Sequence, residues 1–212
     1  MNHADTRPAG SVTRDLSRRE HEGKPVHALV ATRVVGAGRE ELWDALTNAA
    51  RIPKWFLPIT GDLSPGGSYQ LKGNAGGEII ACEPPGRFAL TWRMHGDVSW
   101  VTVTLSEIPE GTEVRLEHLA QFPQEFWEEF GPGAVGIGWD MALFGLEEYF
   151  SPASTVVPET AEAWMVSEEG KDFARRSSAG WREASIALGT DQEAAQAAAD
   201  RVTAFYTGED PP

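Results

Sequence analysis

The sequence predicts an α+β fold in which an antiparallel sheet packs against one long helix and a helical extension follows. Three observations lead to this expectation. After Pro58, short segments of alternating apolar and polar residues are separated by turn sequences such as Pro65-Gly66-Gly67 and His95-Gly96-Asp97. Residues 133–150 then carry apolar side chains at helical spacing. The chain beyond Pro158 is rich in Ala and Glu, which favours further helices.

The N-terminal segment changes character at Pro25. Residues 1–24 are polar with almost no apolar periodicity, so we expect a disordered tail. From Pro25 onward, Val26, Ala28 and Val30 begin an alternating pattern that predicts a largely buried strand ending at Gly36-Ala37-Gly38. The expected organisation is therefore a tail over 1–24, one domain over 25–152, and a linker with a helical extension over 153–212.

Two short helices are expected after the first strand. Arg39–Thr47 places Leu42, Trp43 and Leu46 at helical spacing, and a second helix is expected over 49–56. Five strands follow, and three of them alternate cleanly enough to predict a sheet with one buried face. The expected strands span Tyr69–Leu71, Glu78–Cys82, Phe88–Met94, Ser99–Ser106 and Thr112–Leu119.

The long helix is expected over Gly133–Phe150, because Trp139, Leu143, Leu146 and Phe150 fall on one helical face. The prolines of 151–158 indicate a linker. Thr190 with Glu193 three residues later has the spacing of a capping box, and Gly208 with the final two prolines is expected to end the last helix.

Composition excludes several classes of function. A formal net charge of -14 repels phosphate backbones and anionic lipid headgroups, so neither nucleic acid nor a membrane is an expected partner. Cys82 is the only cysteine, which rules out an intrachain disulfide and the paired-cysteine zinc motifs. No apolar run approaches the roughly 20 residues of a membrane span, and the first 24 residues lack a signal-peptide core. We therefore expect a cytoplasmic protein.

No cofactor or metal site is expected. Gly36-Ala37-Gly38 follows a strand, but Glu41 occupies the place of the third glycine of a dinucleotide-binding turn, and no parallel βαβ pattern follows. None of the five histidines has the i, i+4 pairing of a helical metal site.

Several short segments resemble one known family when they are taken in order. They are Leu42-Trp43-Asp44-Ala45-Leu46-Thr47, Lys54-Trp55-Phe56, Pro65-Gly66-Gly67, and Gly111-Thr112-Glu113-Val114 leading to His118. Together they resemble the activator of heat shock protein 90 ATPase homologue family, within the START-like or SRPBCC superfamily. The resemblance covers about residues 25–150 and implies a helix-grip fold, a curved antiparallel sheet around the long helix. The eukaryotic activator that names the family has a further N-terminal chaperone-binding domain, which residues 1–24 are too few to form.

The helix-grip fold implied by the resemblance leaves a space between sheet and helix, and aromatic side chains are candidates to line it. Core packing is the alternative for each of them. His118 shares a face with Val114 and Leu116, so it is either a hydrogen-bonded core histidine or a polar group that orients a ligand. Trp100 is the least certain candidate, because alternation sets it opposite Val101 and Val103. The candidate cavity residues are Trp92, Met94, Trp100, His118, Phe122, Phe126, Trp139 and Leu143.

Three functions remain open at this point. The leading hypothesis is a binding module for a small apolar molecule, with a possible regulatory role. Its C-terminal helices are expected either to cover the core or to mediate homodimerisation. The second is an enzyme of the polyketide cyclase or aromatase kind, for which His118, Arg93 and Asp97 are candidate polar groups. The third is a protein-interaction module akin to the chaperone cofactor. No catalytic constellation is recognised in the sequence, which favours binding over catalysis.

Overall fold

A computed structural model of the chain describes residues 12–152 and 160–209. Within these ranges an eight-stranded antiparallel sheet runs in the order β1-β2-β8-β7-β6-β5-β4-β3. The strands are β1 Thr13–His21, β2 Lys24–Val35, β3 Ile59–Gly61, β4 Ser68–Leu71, β5 Gly76–Glu83, β6 Arg87–Met94, β7 Asp97–Ile108 and β8 Gly111–Ala120. The helices are α1 Arg39–Thr47, α2 Gln124–Phe130, α3 Gly133–Phe150, α4 Ala161–Met165, α5 Glu168–Ala187 and α6 Gln192–Thr207. The α+β class and the long helix over 133–150 are as the sequence predicts.

The curved sheet buries one face against α1 and α3. Alternate side chains of β7 and β8, including Val101, Val103 and Leu116, are almost fully buried. The register places Val103 opposite Leu116 and Val101 opposite His118, so inward residues of neighbouring strands form rows across the concave face. Leu42 of α1 is fully buried in the same core. Alternation therefore predicted the buried face of these strands correctly.

The first strand was not predicted. Residues 1–24 were expected to be a disordered tail, but Thr13–His21 form β1, which pairs along its whole length with β2. Leu16 explains the error, because it is 6% exposed and is one of few apolar residues in the segment. Glu22 and Gly23 both adopt positive φ between the two strands, as a two-residue type I′ hairpin turn requires. Residues 1–11 lie outside the described residues.

Smaller differences concern the ends of elements. The expected helix over 49–56 is a single 3₁₀ turn at Ile52–Lys54, with Pro53 near its start. Strand β3 was not assigned from the sequence. The last helix is capped by Asp191 rather than Thr190, since the Asp191 carboxylate accepts hydrogen bonds from two backbone N–H groups at 2.9 and 3.1 Å. Gly208 ends the helix in the left-handed conformation, as expected. Most of the expected linker, 153–158, lies outside the described residues.

The C-terminal helices pack against the rest of the chain around one buried carboxylate. Asp140 of α3 is fully buried, and its Oδ2 accepts hydrogen bonds from the Trp181 indole at 3.1 Å and from the Ser177 hydroxyl. Arg14 of β1 forms an ion pair with the same oxygen, with N to O distances of 2.8 and 2.9 Å. Burial raises the pKa of Asp140, and Arg14 opposes that effect. Asp140 thus joins β1, α3 and α5.

The same packing depends on a glycine. Gly136 lies directly beneath the Trp181 indole, so a Cβ at position 136 would overlap the ring. Trp181 and Phe173 are each 1% exposed, which means that the aromatic residues of α5 are buried within the chain. Dimerisation through these helices stays a prediction.

Replacing Gly136 by Ala should destabilise the protein by about 1 to 3 kcal/mol, because the new methyl group must displace Trp181. Gly138→Ala is the matched control on the same helix. A Cβ there would meet only the Tyr206 hydroxyl, at 3.7 Å, so this change should be neutral or stabilise by up to about 1 kcal/mol. Urea denaturation measures both. Equal unfolding free energies for the two variants would show that Trp181 does not seat against Gly136.

Candidate functional site

Two adjoining spaces lie along helix α3. The first, the inner cavity, has a volume of about 120 Å³ between the concave sheet face and the helix. The second, the outer cleft, is an open space of about 1280 Å³ that runs along α3. The two spaces form the candidate site.

The inner cavity is almost entirely apolar. Side chains of β3 to β8, the 3₁₀ turn, α1 and α3 line it, among them Ile79, Phe88 and Leu116. The two hydroxyl groups in its lining are used by the protein: Tyr69 donates to the Thr91 carbonyl oxygen at 2.8 Å, and Thr47 donates to a backbone carbonyl within α1. Burial raises the pKa of Tyr69. No carboxylate, imidazole or ammonium group from the described ranges lines this cavity.

His118 holds the indole of Trp139. The Trp139 Nε1–H donates to His118 Nδ1 at 3.0 Å, and His118 Nε2 lies 2.7 Å from the Ser99 hydroxyl oxygen. That hydroxyl donates to the backbone carbonyl of Trp92 at 3.1 Å. Because an indole can only donate and the serine proton is committed to the carbonyl, His118 is neutral with its proton on Nε2.

Both ring nitrogens of His118 are therefore engaged by the protein, and its side chain is 3% exposed. Burial lowers the pKa of His118 to about 4, which keeps the ring neutral at physiological pH. Of the two interpretations offered by the sequence, the geometry favours the hydrogen-bonded core histidine.

The outer cleft is bounded by aromatic and polar groups from several elements. Phe122 and Phe126 of the α2 region stand on one side, stacked with ring centroids 6.0 Å apart. His95 in the turn after β6 and Asp97 at the start of β7 also border the cleft, and Trp164 of α4 closes another part. The C-terminal extension therefore contributes to the site, which the sequence did not indicate.

Seven of the eight candidate cavity residues border one of the two spaces. Trp92 and Trp139 border both of them. Leu143 lines the inner cavity, and four more line the outer cleft: Met94, His118, Phe122 and Phe126.

Trp100 lies elsewhere. It is on the opposite face of β7 from Val101 and packs its ring against His21, with centroids 4.2 Å apart. No bulge turns it inward in the regular pairing of β7 with β6 and β8. Arg93, a candidate polar group, is exposed and lines neither space, whereas Asp97 borders the outer cleft.

The sequence did not point to Trp55, Phe56 or Ala142 as site residues. Trp55 and Phe56 follow the 3₁₀ turn, stack with centroids 5.3 Å apart and border both spaces. The Trp55 indole is fixed by donation to the Ala45 carbonyl oxygen at 2.9 Å. Their only signal was the Lys54-Trp55-Phe56 segment used for the family resemblance. The sequence contained no signal for Ala142, because the role of a small residue depends on the side chains that surround it in the fold.

Among the residues with described structure, no group of three or more His, Cys, Asp or Glu side chains could hold a metal ion. Nor does this part of the chain contain a helix that is both long and apolar enough to cross a membrane.

His118 predicts a specific dependence of stability on pH. Its pKa is about 6.5 in the unfolded chain and about 4 in the fold, so its contribution is complete above pH 6.5 and is lost as the pH falls toward 4. Between pH 7 and pH 5 the wild type should lose on the order of 2 kcal/mol more than His118→Gln. Urea unfolding at both pH values measures this difference.

The control is His95→Asn, in an exposed turn where φ is 53°, a conformation that Asn tolerates. This variant should keep the wild-type pH dependence. Identical pH dependence in wild type and His118→Gln would contradict the buried neutral imidazole.

Comparison with known proteins agrees with this architecture. The crystal structure of CalU16 from Micromonospora echinospora is 31% identical to the chain, with a TM-score of 0.65, and the match covers 82% of this chain and 97% of CalU16. The solution structure of CalU16 is 29% identical to the chain, with a TM-score of 0.69, and the match covers 84% of this chain and 97% of CalU16. Protein MLL2253 from Mesorhizobium loti is 26% identical, with a TM-score of 0.51, over 57% of this chain and 95% of that protein. No curated protein sequence matches the chain significantly.

The match to a family model covers a shorter part of the chain than the match to CalU16 does. It spans residues 37–151, from the end of β2 to the end of α3, and includes every strand that lines the inner cavity. On this evidence, together with the helix-grip architecture, the chain belongs to the family described as Activator of Hsp90 ATPase homolog 1-like protein.

Proposed function

We propose that this protein is a cytoplasmic binding protein for a small hydrophobic molecule, which it holds between the sheet and α3. The observation that carries the proposal is the inner cavity, a space of about 120 Å³ with an apolar lining in the middle of the domain. Protein interiors are normally packed without such voids, because each one sacrifices contacts between its lining atoms. A binding function explains why the cavity is kept.

The size and polarity of the space suit an apolar ligand. An engineered cavity of about 150 Å³ lined by similar side chains stays free of water and binds benzene. The inner cavity is of that order, and the outer cleft next to it offers room for a larger molecule. Such a protein could serve as a carrier or as a ligand-dependent regulator.

The polar groups favour binding over a cyclase reaction. Proton transfer requires a group with a free acid or base position near the reacting atoms. Both nitrogens of His118 are occupied by protein partners, Arg93 lies outside both spaces, and Asp97 stands at the edge of the open cleft. A cyclase acting in the inner cavity would have none of the three polar groups expected of it.

The distribution of exposed apolar residues gives less support to a chaperone-cofactor role. Met94, Val98 and Phe126 are large exposed apolar residues, but all three border the outer cleft. Others lie apart from the cleft rim: Val166 is in the turn after α4, and Phe205 is on α6. The exposed residues are therefore better explained as the rim of a ligand site than as one protein-binding patch.

Binding of an environment-sensitive neutral dye that carries one small apolar ring, N-benzyl dansylamide, tests the proposal. The wild type should bind it saturably, with one dye per chain. Leu116→Trp should weaken binding at least tenfold, because Leu116 faces the inner cavity and the larger ring would fill it. Arg115→Trp is the matched control, since Arg115 is the neighbouring residue on the opposite face of β8. Dye fluorescence reports binding, and circular dichroism confirms that each variant is folded.

Ile79→Phe provides a smaller change at another part of the cavity and should also weaken binding. The proposal would be wrong if the wild type showed no saturable binding, or if both cavity variants bound the dye as well as Arg115→Trp does.

A further inference from the structure

The inner cavity and the outer cleft are separated by a partition of five side chains. These residues line both spaces: Trp55, Phe56, Trp92, Trp139 and Ala142. Four of them are large aromatic residues, whereas Ala142 contributes only a methyl group. The partition is therefore thinnest beside Ala142.

Neighbouring contacts hold the frame around Ala142 in place. Trp139, Ala142 and Gly145 follow one another at intervals of three residues, so they lie along one side of α3. Trp139 is fixed by its hydrogen bond to His118. At the other end, Gly145 allows close approach of Trp55, whose carbonyl oxygen would lie 2.9 Å from a Cβ at position 145. The indole of Trp55 is also hydrogen-bonded, so Ala142 lies between two positions of α3 that contact fixed aromatic residues.

The two spaces differ in chemistry as well as in size. The inner cavity accepts only apolar groups and is about as large as a single ring requires. The outer cleft is roughly ten times larger and presents polar groups from His95, Asp97, Gln121 and Tyr149. A ligand that occupies both spaces must therefore change in polarity and in width from one end to the other.

We propose that the ligand has two parts: a compact apolar end group, no larger than one six-membered ring, and a wider body that carries polar substituents. The end group occupies the inner cavity, the body lies in the outer cleft, and the connection passes Ala142. Ala142 is then the residue that determines which ligands are accepted. This inference rests on the proposed binding function and specifies the class of ligand.

A series of N-substituted dansylamides tests the inference. The dansyl group is a fused ring system too large for the inner cavity, and its neutral amide avoids repulsion by a protein of net charge -14. With methyl, propyl, hexyl and benzyl substituents, affinity should rise about fourfold per buried methylene. Affinity should stop rising when the substituent reaches about the size of hexyl or benzyl. The adamantyl compound should bind no better than the methyl compound.

Variants at position 142 should change this dependence. Ala142→Leu should abolish the gain from longer substituents, so that the methyl and benzyl compounds bind it with equal affinity. Ala142→Gly should shift the preference toward bulkier substituents. Ala134→Leu is the control on the same helix, because Ala134 lines the outer cleft only. It should alter affinity for all the compounds alike and keep the dependence on the substituent.

Cys82 supplies a second readout, because it is the only cysteine and lines the inner cavity. The benzyl compound should slow the reaction of Cys82 with a thiol reagent at least tenfold, and the methyl compound at equal saturation should not. Failure of every compound to bind saturably would overturn the proposed function itself. Saturable binding that is independent of the substituent, or that responds to it equally in wild type and Ala142→Leu, would overturn only the two-part ligand.

Discussion

The hydrogen bond from the Trp139 indole to His118 fixes the long helix to the centre of the sheet, and the candidate site depends on it. The bond requires a neutral imidazole, because a proton on Nδ1 would face the indole N–H. Burial favours that neutral form, and Ser99 completes the chain to the Trp92 carbonyl. Trp139 borders both the inner cavity and the outer cleft, so the interaction that anchors the helix also holds the wall between them.

The next residue on α3 anchors a different side of the helix. Asp140 binds Arg14 of β1 together with Ser177 and Trp181 of α5. Removing one partner from such a buried ion pair is strongly destabilising, because the remaining charge has no solvent to stabilise it. Both β1 and α5 lie outside residues 37–151 of the family match. The similarity to CalU16 covers 82% of the chain, more than the family match and the residues before it can supply, so it includes part of the C-terminal helices.

The parts of this structure that could be predicted are those with a regular period. Alternation identified the buried face of β7 and β8 and the side of β6 that lines the inner cavity, and helical spacing identified α3 with its bounds. Strand β1 was not predicted because Leu16 is nearly the only apolar residue in that segment of the sequence. The pairing of Leu16 with Leu29 depends on the assembled sheet and leaves no local sequence pattern. Alternation along β7 predicts that Trp100 lies on the outer face of the sheet, and that is where it lies. The prediction that Trp100 lines the cavity was wrong because it did not follow this alternation. The roles of Ala142 and Gly136 depend on tryptophans from other elements, which no local pattern reveals.

The central claim is that the space between sheet and helix accepts an apolar group while the helix stays anchored. A crystal structure of the protein with N-benzyl dansylamide tests it most directly. The account predicts electron density for the benzyl ring in the inner cavity, for the dansyl group in the outer cleft, and an unchanged bond between Trp139 and His118. A compound bound only at the surface, with the space beneath α3 filled by side chains, would contradict it.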